Sequence, residues 1–451
     1  MASDATLPRT LRPVTGTHFN DLLGYLRKVC AALPDRRRGK NTSYPMADFG
    51  LSAFAVFFTQ SPSFLAYQKA MQQTRGHNNA LSFFHLQEIP SDNQTRQMLD
   101  PVPPQALYPV YDRIYDTLRA AGILQTFRGV HDSTLIALDG TWYHDSQKIH
   151  CSCCSHLEHQ SGQITYYHSA VTPVLVAPGQ PEVIALRPEF ITPQDGHTKQ
   201  DCELAAAKRW LEHNATRYHS GPVTLLGDDL YAHQPFCRRA LLYDCHFLFV
   251  CKPDSHQTLY HWVNLLRPGP DLGTVKLRLK AGSQWHTDTY RWANQVPLAE
   301  GPDALRVNWC EVTVTDPEGK VLYLNAWITD WPITEHNVAA LAASGRARWK
   351  IENENNNTLK TKGYHLEHNF GHGQQYLASL LATMNILAFL FHTVLGFTDE
   401  HYRLIRATLP SRKTFFQDLR ALTRYLYFPS WEGLLRFMMR GLEIGPYAKP
   451  T

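Results

Sequence analysis

The sequence predicts an α/β fold, a mixed sheet flanked by helices, with a helical region before it and a helical tail after it. Three patterns carry this expectation. Apolar residues recur at helical spacing through the first 130 residues, short apolar strands alternate with helices from Val130 to Cys251, and a strand-rich stretch then precedes a last group of helices. With 451 residues, 43% of them apolar and 12% aromatic, the chain exceeds one simple core and is too apolar to be disordered. The expected parts are a helical region at 1–130, the first half of the α/β core at 131–255, a β-rich insertion at 256–332, the second half of the core at 333–398, and a basic helical tail at 399–451.

In the first part, His18–Leu33, Met46–Thr59 and Gln105–Ala121 have helical apolar spacing, and Ser91 or Asp92 is placed to cap a short helix over Asn93–Leu99. The pattern changes at Val130. Leu135–Leu138 reads as a strand ending on Asp139, Tyr166–Val176 and Glu182–Leu186 as two more, and Lys199–His213 as a helix. Val223–Gly227 is a strand ending on Asp228, followed by a helix near His233–Leu242 and a strand at His246–Cys251. Val275–Leu279, Val307–Val314 and Val321–Ile328 are the strands of the insertion. Helix resumes at Ile333–Ser344, Arg346–Lys360 and Gln374–Leu395, and two or three basic helices follow Phe397. Leu377–Phe397 approaches the length of a membrane span. Its Ser379, Thr383, Asn385 and His392 fit a buried core helix better, and no membrane partner is expected.

The formal net charge is only +4, but its distribution is uneven. His401–Thr451 holds nine Lys and Arg against three Asp and Glu, and Arg36, Arg37, Arg38 and Lys40 form a second basic run. Such patches suit a phosphate backbone, and equally a solvated surface. Met1–Arg12 has no apolar core of a signal peptide, and nine cysteines argue for reduced thiols or metal ligands, so a cytoplasmic protein is expected.

Asp139 and Asp228 each follow an apolar strand, where side chains of an α/β sheet point into an open crevice. A third carboxylate comes from the helical segment Arg346–Lys360. Glu352 and Glu354 lie on opposite faces of a helix, so only one can join the aspartates. Glu354 has Lys350 at i−4, which suits a solvent-facing ion pair; Glu352 shares a ridge with Arg348, Asn356 and Lys360 and is favoured. Asp139, Asp228 and Glu352 would together hold two Mg²⁺ (or Mn²⁺) ions for phosphodiester chemistry. A second cluster is Cys151-Ser-Cys153-Cys154, followed by His156, His159 and His168, with Cys202 further on. Cys151 and Cys154 have zinc-knuckle spacing, and Cys202 with His168 (or His159) would complete a structural Zn²⁺ site. Incidental buried thiols are the plainer alternative, and Cys30, Cys237, Cys245, Cys251 and Cys310 read as core thiols.

At the third carboxylate the sequence becomes specific. Gly345-Arg-Ala-Arg-Trp-Lys-Ile-Glu-Asn-Glu, then Asn357-Thr-Leu-Lys and Gly363-Tyr-His-Leu-Glu-His-Asn-Phe-Gly-His-Gly, closely resemble a bacterial insertion-sequence transposase family of the DDE type. The resemblance runs from Asp132 to about Leu395, and also touches Ile89–Leu99. It implies an RNase H-like core interrupted by a β-rich insertion, Asp228 rather than Asp229 as the second ligand, and cut-and-paste DNA transposition. It further implies that Arg348 and Lys360 grip the transposon end, with Lys350 and Lys362 nearby on DNA. Gly345 stands where a related signature has Tyr, and Asn356 where the family usually has Phe. The implied partners are double-stranded DNA, both terminal repeats and target, and a second copy of the chain in the DNA complex. The implied roles of residues 1–130 are DNA binding and dimerisation, and that of the tail is non-specific phosphate contact. The rival readings are a structure-selective nuclease on the same fold and a domesticated DNA-binding protein without chemistry.

Overall fold

Two units make up the chain, Met1–Ile123 with Leu387–Thr451, and Leu124–Ile386. The computed structural model describes residues 18–38, 42–72, 78–193, 201–266, 269, 271–282 and 284–448, so Met1–Arg12, Lys40, Lys199 and Gln200 lie outside the described residues.

The first unit begins with α1 (His18–Ala31), α2 (Met46–Phe58), α3 (Phe64–Gln72), α4 (Asn79–Phe84), α5 (Asp92–Leu99) and α6 (Tyr108–Ala120). In α1 the buried Phe19, Leu22, Leu23, Leu26 and Cys30 form one apolar stripe, while α2 is buried all round except at Asp48. Ser91 caps α5, its hydroxyl accepting from Gln94 N–H at 3.4 Å. In the basic run, Arg37 pairs with Asp35 at 2.7 Å and donates to the Tyr44 carbonyl at 2.8 Å.

In the second unit a nine-stranded mixed sheet forms the framework. Its strands are β1 (Thr134–Ala137), β5 (Val174–Val176), β6 (Ile184–Ala185), β8 (Val223–Gly227), β9 (Cys245–Val250), β10 (Gly273–Ala281), β11 (Gln284–Pro297), β12 (Arg306–Thr315) and β13 (Val321–Thr329). They are ordered β10-β11-β12-β13-β9-β8-β1-β5-β6. Only β1, β8 and β9 run parallel, and these are fully or almost fully buried, as continuous apolar strands between covering layers should be. A smaller sheet contains β2 (Gly140–Ser146), β4 (Ile164–Val171) and β3 (Ser155–Glu158), with β7 (Glu189–Ile191) paired to β4. The helices of this unit are α7 (Glu203–Asn214), α8 (Gln234–Leu242), α9 (Gln257–Leu266), α10 (Val338–Arg346) and α11 (Asn357–Thr361).

This is the mixed α/β protein expected from the sequence, with differences in detail. Tyr166–Val176 is two strands in two sheets, because Pro173 separates β4 from β5. The strands of the insertion continue the main sheet through the β13–β9 pairing, the insertion opens with a helix, α9, and it holds one further strand, β11.

The long helix α12 (Leu377–Thr398) runs from the second unit into the first, and 89% of its most apolar window is buried. Its polar residues find partners within their own unit. Asn385 donates to the Tyr364 carbonyl at 2.8 Å, and Thr383 to Ser379 O at 2.8 Å. His392 Nε2 donates to the Phe58 carbonyl at 2.9 Å while Nδ1 accepts from Tyr402 Oη at 3.0 Å, and full burial lowers its pKa to about 3, so the ring is neutral.

The tail, α13 (Glu400–Thr408), α14 (Arg412–Tyr425) and α15 (Trp431–Gly441), belongs to the first unit. Asp399, Ser411 and Ser430 cap its three helices. Part of its positive charge is engaged internally, since Arg420 donates to the Gln60 carbonyl at 2.6 Å and Arg436 pairs with Glu432 at 2.5 Å. Asn79 fastens tail to head. Fully buried, it donates to the Thr423 and Leu426 carbonyls at 3.0 and 2.8 Å and accepts from Phe428 N–H at 2.9 Å. Asn79→Ala leaves those backbone groups without partners and should cost roughly 2–4 kcal/mol in denaturant unfolding, whereas Asn78→Ala, which removes the half-buried α4 cap and its bonds to the Leu86 and Gln87 carbonyls, should cost about 1–2 kcal/mol.

Candidate active site

Parallel pairing brings the two aspartates to one edge of the main sheet. Ala137 on β1 stands opposite Leu226 on β8, and Leu138 N–H donates to the Leu226 carbonyl at 2.8 Å, so Asp139 and Asp228 leave neighbouring strands at the same carboxyl end. Asp228 Oδ1 accepts from Leu230 N–H at 2.9 Å, shaping the turn it opens. Asp229 faces elsewhere: its Oδ1 accepts from Lys252 N–H at 2.6 Å and lies 3.4 Å from His256 Nε2.

A fourth carboxylate, not singled out from the sequence, joins them. Glu203 in the first turn of α7 accepts from Gly140 N–H at 3.0 Å and from Tyr231 Oη at 2.6 Å. Gly140 is required there, because a β-carbon would run into the Glu203 carboxyl group.

Glu352 comes from a segment that is not α-helical throughout. After α10 the chain forms a 3₁₀ turn at Ala347–Trp349 and a π-helical turn at Ile351–Asn356 before α11. Such wide turns insert one extra residue and occur often at functional sites. Here the turn buries both Asn355 and Asn356. Asn356 Nδ2 donates to Asp139 Oδ2 at 2.8 Å, and its Oδ1 accepts from Thr172 Oγ1 and Asn355 Nδ2, each at 2.9 Å. A Phe at this position could not tie the segment to the aspartate. The other departure has a steric reason: a β-carbon on Gly345 would lie 2.5 Å from the Trp327 indole on β13.

Burial foremost, then the negative charges of Glu203, Glu352 and Asp228 against the opposing Arg348, push the Asp139 carboxyl up to about 7. Burial likewise raises Glu203, partly offset by the Tyr231 hydroxyl. Glu352 is drawn onto Arg348 at 2.8 Å and accepts from Trp349 Nε1 at 3.0 Å. The carboxylates do not converge as tightly as metal ligands do; among the described residues only a Cys and His group does so. Their donor chemistry nonetheless suits Mg²⁺, being all hard oxygens with an excess of negative charge around one half-buried aspartate.

The cations expected on DNA are placed variously. Lys350 is half-buried, with its ammonium donating to the Ala177 and Gln180 carbonyls and the Glu354 charge near enough to act on it. Glu354 lies 4.0 Å from Lys362, which also donates to Asn353 O at 3.1 Å. Lys360 pairs with Glu367 at 2.9 Å.

The converging group is Cys151, Cys154, His168 and His372, whose ligand atoms all lie within 4.8 Å of one another. Cys202 is not among them. It is exposed, immediately before α7, and the fourth member is His372, distant in sequence, which spacing alone could not supply. Burial raises the thiols of Cys30, Cys245 and Cys310 to about 12, as expected of core cysteines.

Comparison of the chain with protein-family models and with curated proteins gives no match.

A carboxyl with a raised pKa binds its proton more tightly when folded. The metal-free fold therefore loses stability as pH climbs from the ordinary 3.8 through about 7. In Mg²⁺-free buffer Asp139→Asn should melt higher than the parent at pH 8, on the order of a few degrees, with the difference closing toward pH 4. A difference independent of pH would contradict the account of crowded carboxylates.

Proposed function

We propose that the protein is a DNA transposase, with an RNase H-like core in which Asp139, Asp228 and Glu352 carry divalent-metal phosphodiester chemistry. The observation that supports this most is the pair of aspartates at the carboxyl ends of adjacent parallel strands, with Glu352 close enough to raise the Asp139 pKa. The sequence resemblance at residues 345–373 and the strands inserted before Glu352 agree with it.

In this reading the three carboxylates hold the ions, and Asn356 fixes the orientation of Asp139. Bound there, Mg²⁺ or Mn²⁺ supplies activation of the attacking hydroxyl group and neutralises charge on the leaving oxygen. Glu203 holds the Gly140 backbone and the Tyr231 hydroxyl, which keeps the crevice floor in place. Arg348 is within reach both of Glu352 and of a phosphate approaching it, so DNA entry would exchange one anionic partner for another. The reaction would be attack of water on the phosphodiester at the element end, releasing a 3′-hydroxyl, and then attack of that hydroxyl on a target phosphodiester, releasing a 3′-hydroxyl of the target strand. Joining two ends calls for two copies of the chain.

The test is purified full-length protein with Mg²⁺ and labelled duplexes taken from the DNA that flanks its gene, scored for nicking and joining. Asp139→Ala, Asp228→Ala and Glu352→Ala should each lose roughly a thousandfold or more in both steps while retaining DNA binding in a gel shift. Glu354→Ala should stay near the parent. Cleavage without joining would move the reading to a nuclease, and full activity in all three carboxylate variants would end it.

A further inference from the structure

We infer that Cys151, Cys154, His168 and His372 form a closed zinc site that fastens the segment after α11 to the small sheet. The distances between ligand atoms carry the assignment. Around a tetrahedral Zn²⁺ with ordinary bond lengths, two sulfurs stand about 3.8 Å apart and a sulfur and a nitrogen about 3.6 Å apart. Here Cys151 Sγ and Cys154 Sγ are 3.9 Å apart, and His168 Nε2 lies 3.6 Å from the first and 3.5 Å from the second. His372 Nε2 lies 3.5 Å from Cys154 Sγ. Four edges of the tetrahedron are thus formed, and all six lie within 4.8 Å. Hydrogen bonds place one proton along one edge at a time; ligation to a single ion accounts for the four short edges together.

The local backbone is built for this. Between β2 and β3, Cys151 N–H donates to Cys154 Sγ at 3.4 Å and Cys154 N–H to the Cys151 carbonyl at 3.2 Å, a knuckle that turns both sulfurs to one side. His168 projects from β4 and, like Cys154, is buried, while Cys151 and His372 are half-buried; four protein ligands fill a tetrahedral shell, which suits a structural ion. Thiolate and imidazole donors select zinc over Mg²⁺. The ion would join two parts of the chain 218 residues apart, the knuckle that follows Asp139 and the segment that follows Glu352.

The assignment is separate from the proposed phosphodiester chemistry, because metal content is measured without any activity. Full-length protein purified without added zinc or a metal-binding tag should contain about one Zn²⁺ per chain by elemental analysis. X-ray absorption should show two sulfurs at about 2.3 Å and two nitrogens at about 2.0 Å. Cys154→Ser and His372→Ala should lose that equivalent, with faster amide exchange in residues 363–376, while Cys202→Ser keeps it. Folded parent protein without zinc overturns the assignment. So does full zinc in His372→Ala, or its loss in Cys202→Ser. If His372→Ala fails to fold, the absorption spectrum of the parent decides, and a shell dominated by oxygen overturns the site.

Discussion

The parallel ladder between β1 and β8 is the constraint on which the candidate site depends. Thr134 N–H on the Pro222 carbonyl and Leu138 N–H on the Leu226 carbonyl, both at 2.8 Å, close the ladder at its two ends and fix its register. A slip of one residue would turn Asp139 to the opposite face and mismatch its apolar neighbours with the layers packed on both sides of the sheet. Because both strands are buried throughout, such a slip is costly, and the position of the aspartates is secured by hydrophobic burial more than by any polar contact of their own. Burial is the chief reason that the Asp139 pKa is raised; the pairing adds the charge of Asp228 to those that α7 and the turn at Ile351–Asn356 bring as Glu203 and Glu352.

Much of this arrangement is legible in the sequence because it rests on local pattern. Short apolar runs ending on Asp139 and Asp228 mark buried strands and their open ends, and the alternation from about Thr258 to Thr329 marks a β-rich stretch, although its first residues form α9. What the sequence conceals depends on pairing at a distance. Glu203 looks like an ordinary first-turn acid, and its place beside Asp139 depends on Gly140 admitting it. His372 is one of twenty-three histidines, and nothing in its spacing links it to Cys154. Cys202 attracted notice as a cysteine, although its neighbour Glu203 is the residue that reaches the crevice. The polar residues of α12 were a readable sign of burial in protein, yet their particular partners, Tyr364 and Phe58, were not.

The segment carrying Glu352 shows why helical periodicity misleads near a site. An α-helix over Arg346–Lys360 places Arg348, Glu352 and Asn356 on one ridge and sends their neighbours away. The π turn keeps the Arg348–Glu352 pair but widens the helix enough to bury Asn355 beside Asn356. The two amides then brace each other, and Asn356 spans Asp139 and Thr172. Lys350 on the opposite side is bound to two carbonyls of the β5–β6 connection. The segment is therefore held from both sides, which fixes the Glu352 backbone and leaves only its side chain free to turn between Arg348 and the aspartates.

The two candidate metal sites separate by donor type as well as by place. The crevice offers carboxylate oxygens alone, whereas the knuckle offers thiolates and imidazoles with no carboxylate among them. If both sites are occupied as proposed, a hard ion gains little at the second and a soft one has a better alternative than the first. The arrangement also divides the work. A zinc ion would fix where the chain goes after β2 and after α11, the two places where it departs from the crevice, and the crevice carboxylates would then be free to carry surplus charge. They hold backbone as well: Glu203 accepts from Gly140 N–H and Asp228 from Leu230 N–H, so the same groups that carry the charge also shape the crevice.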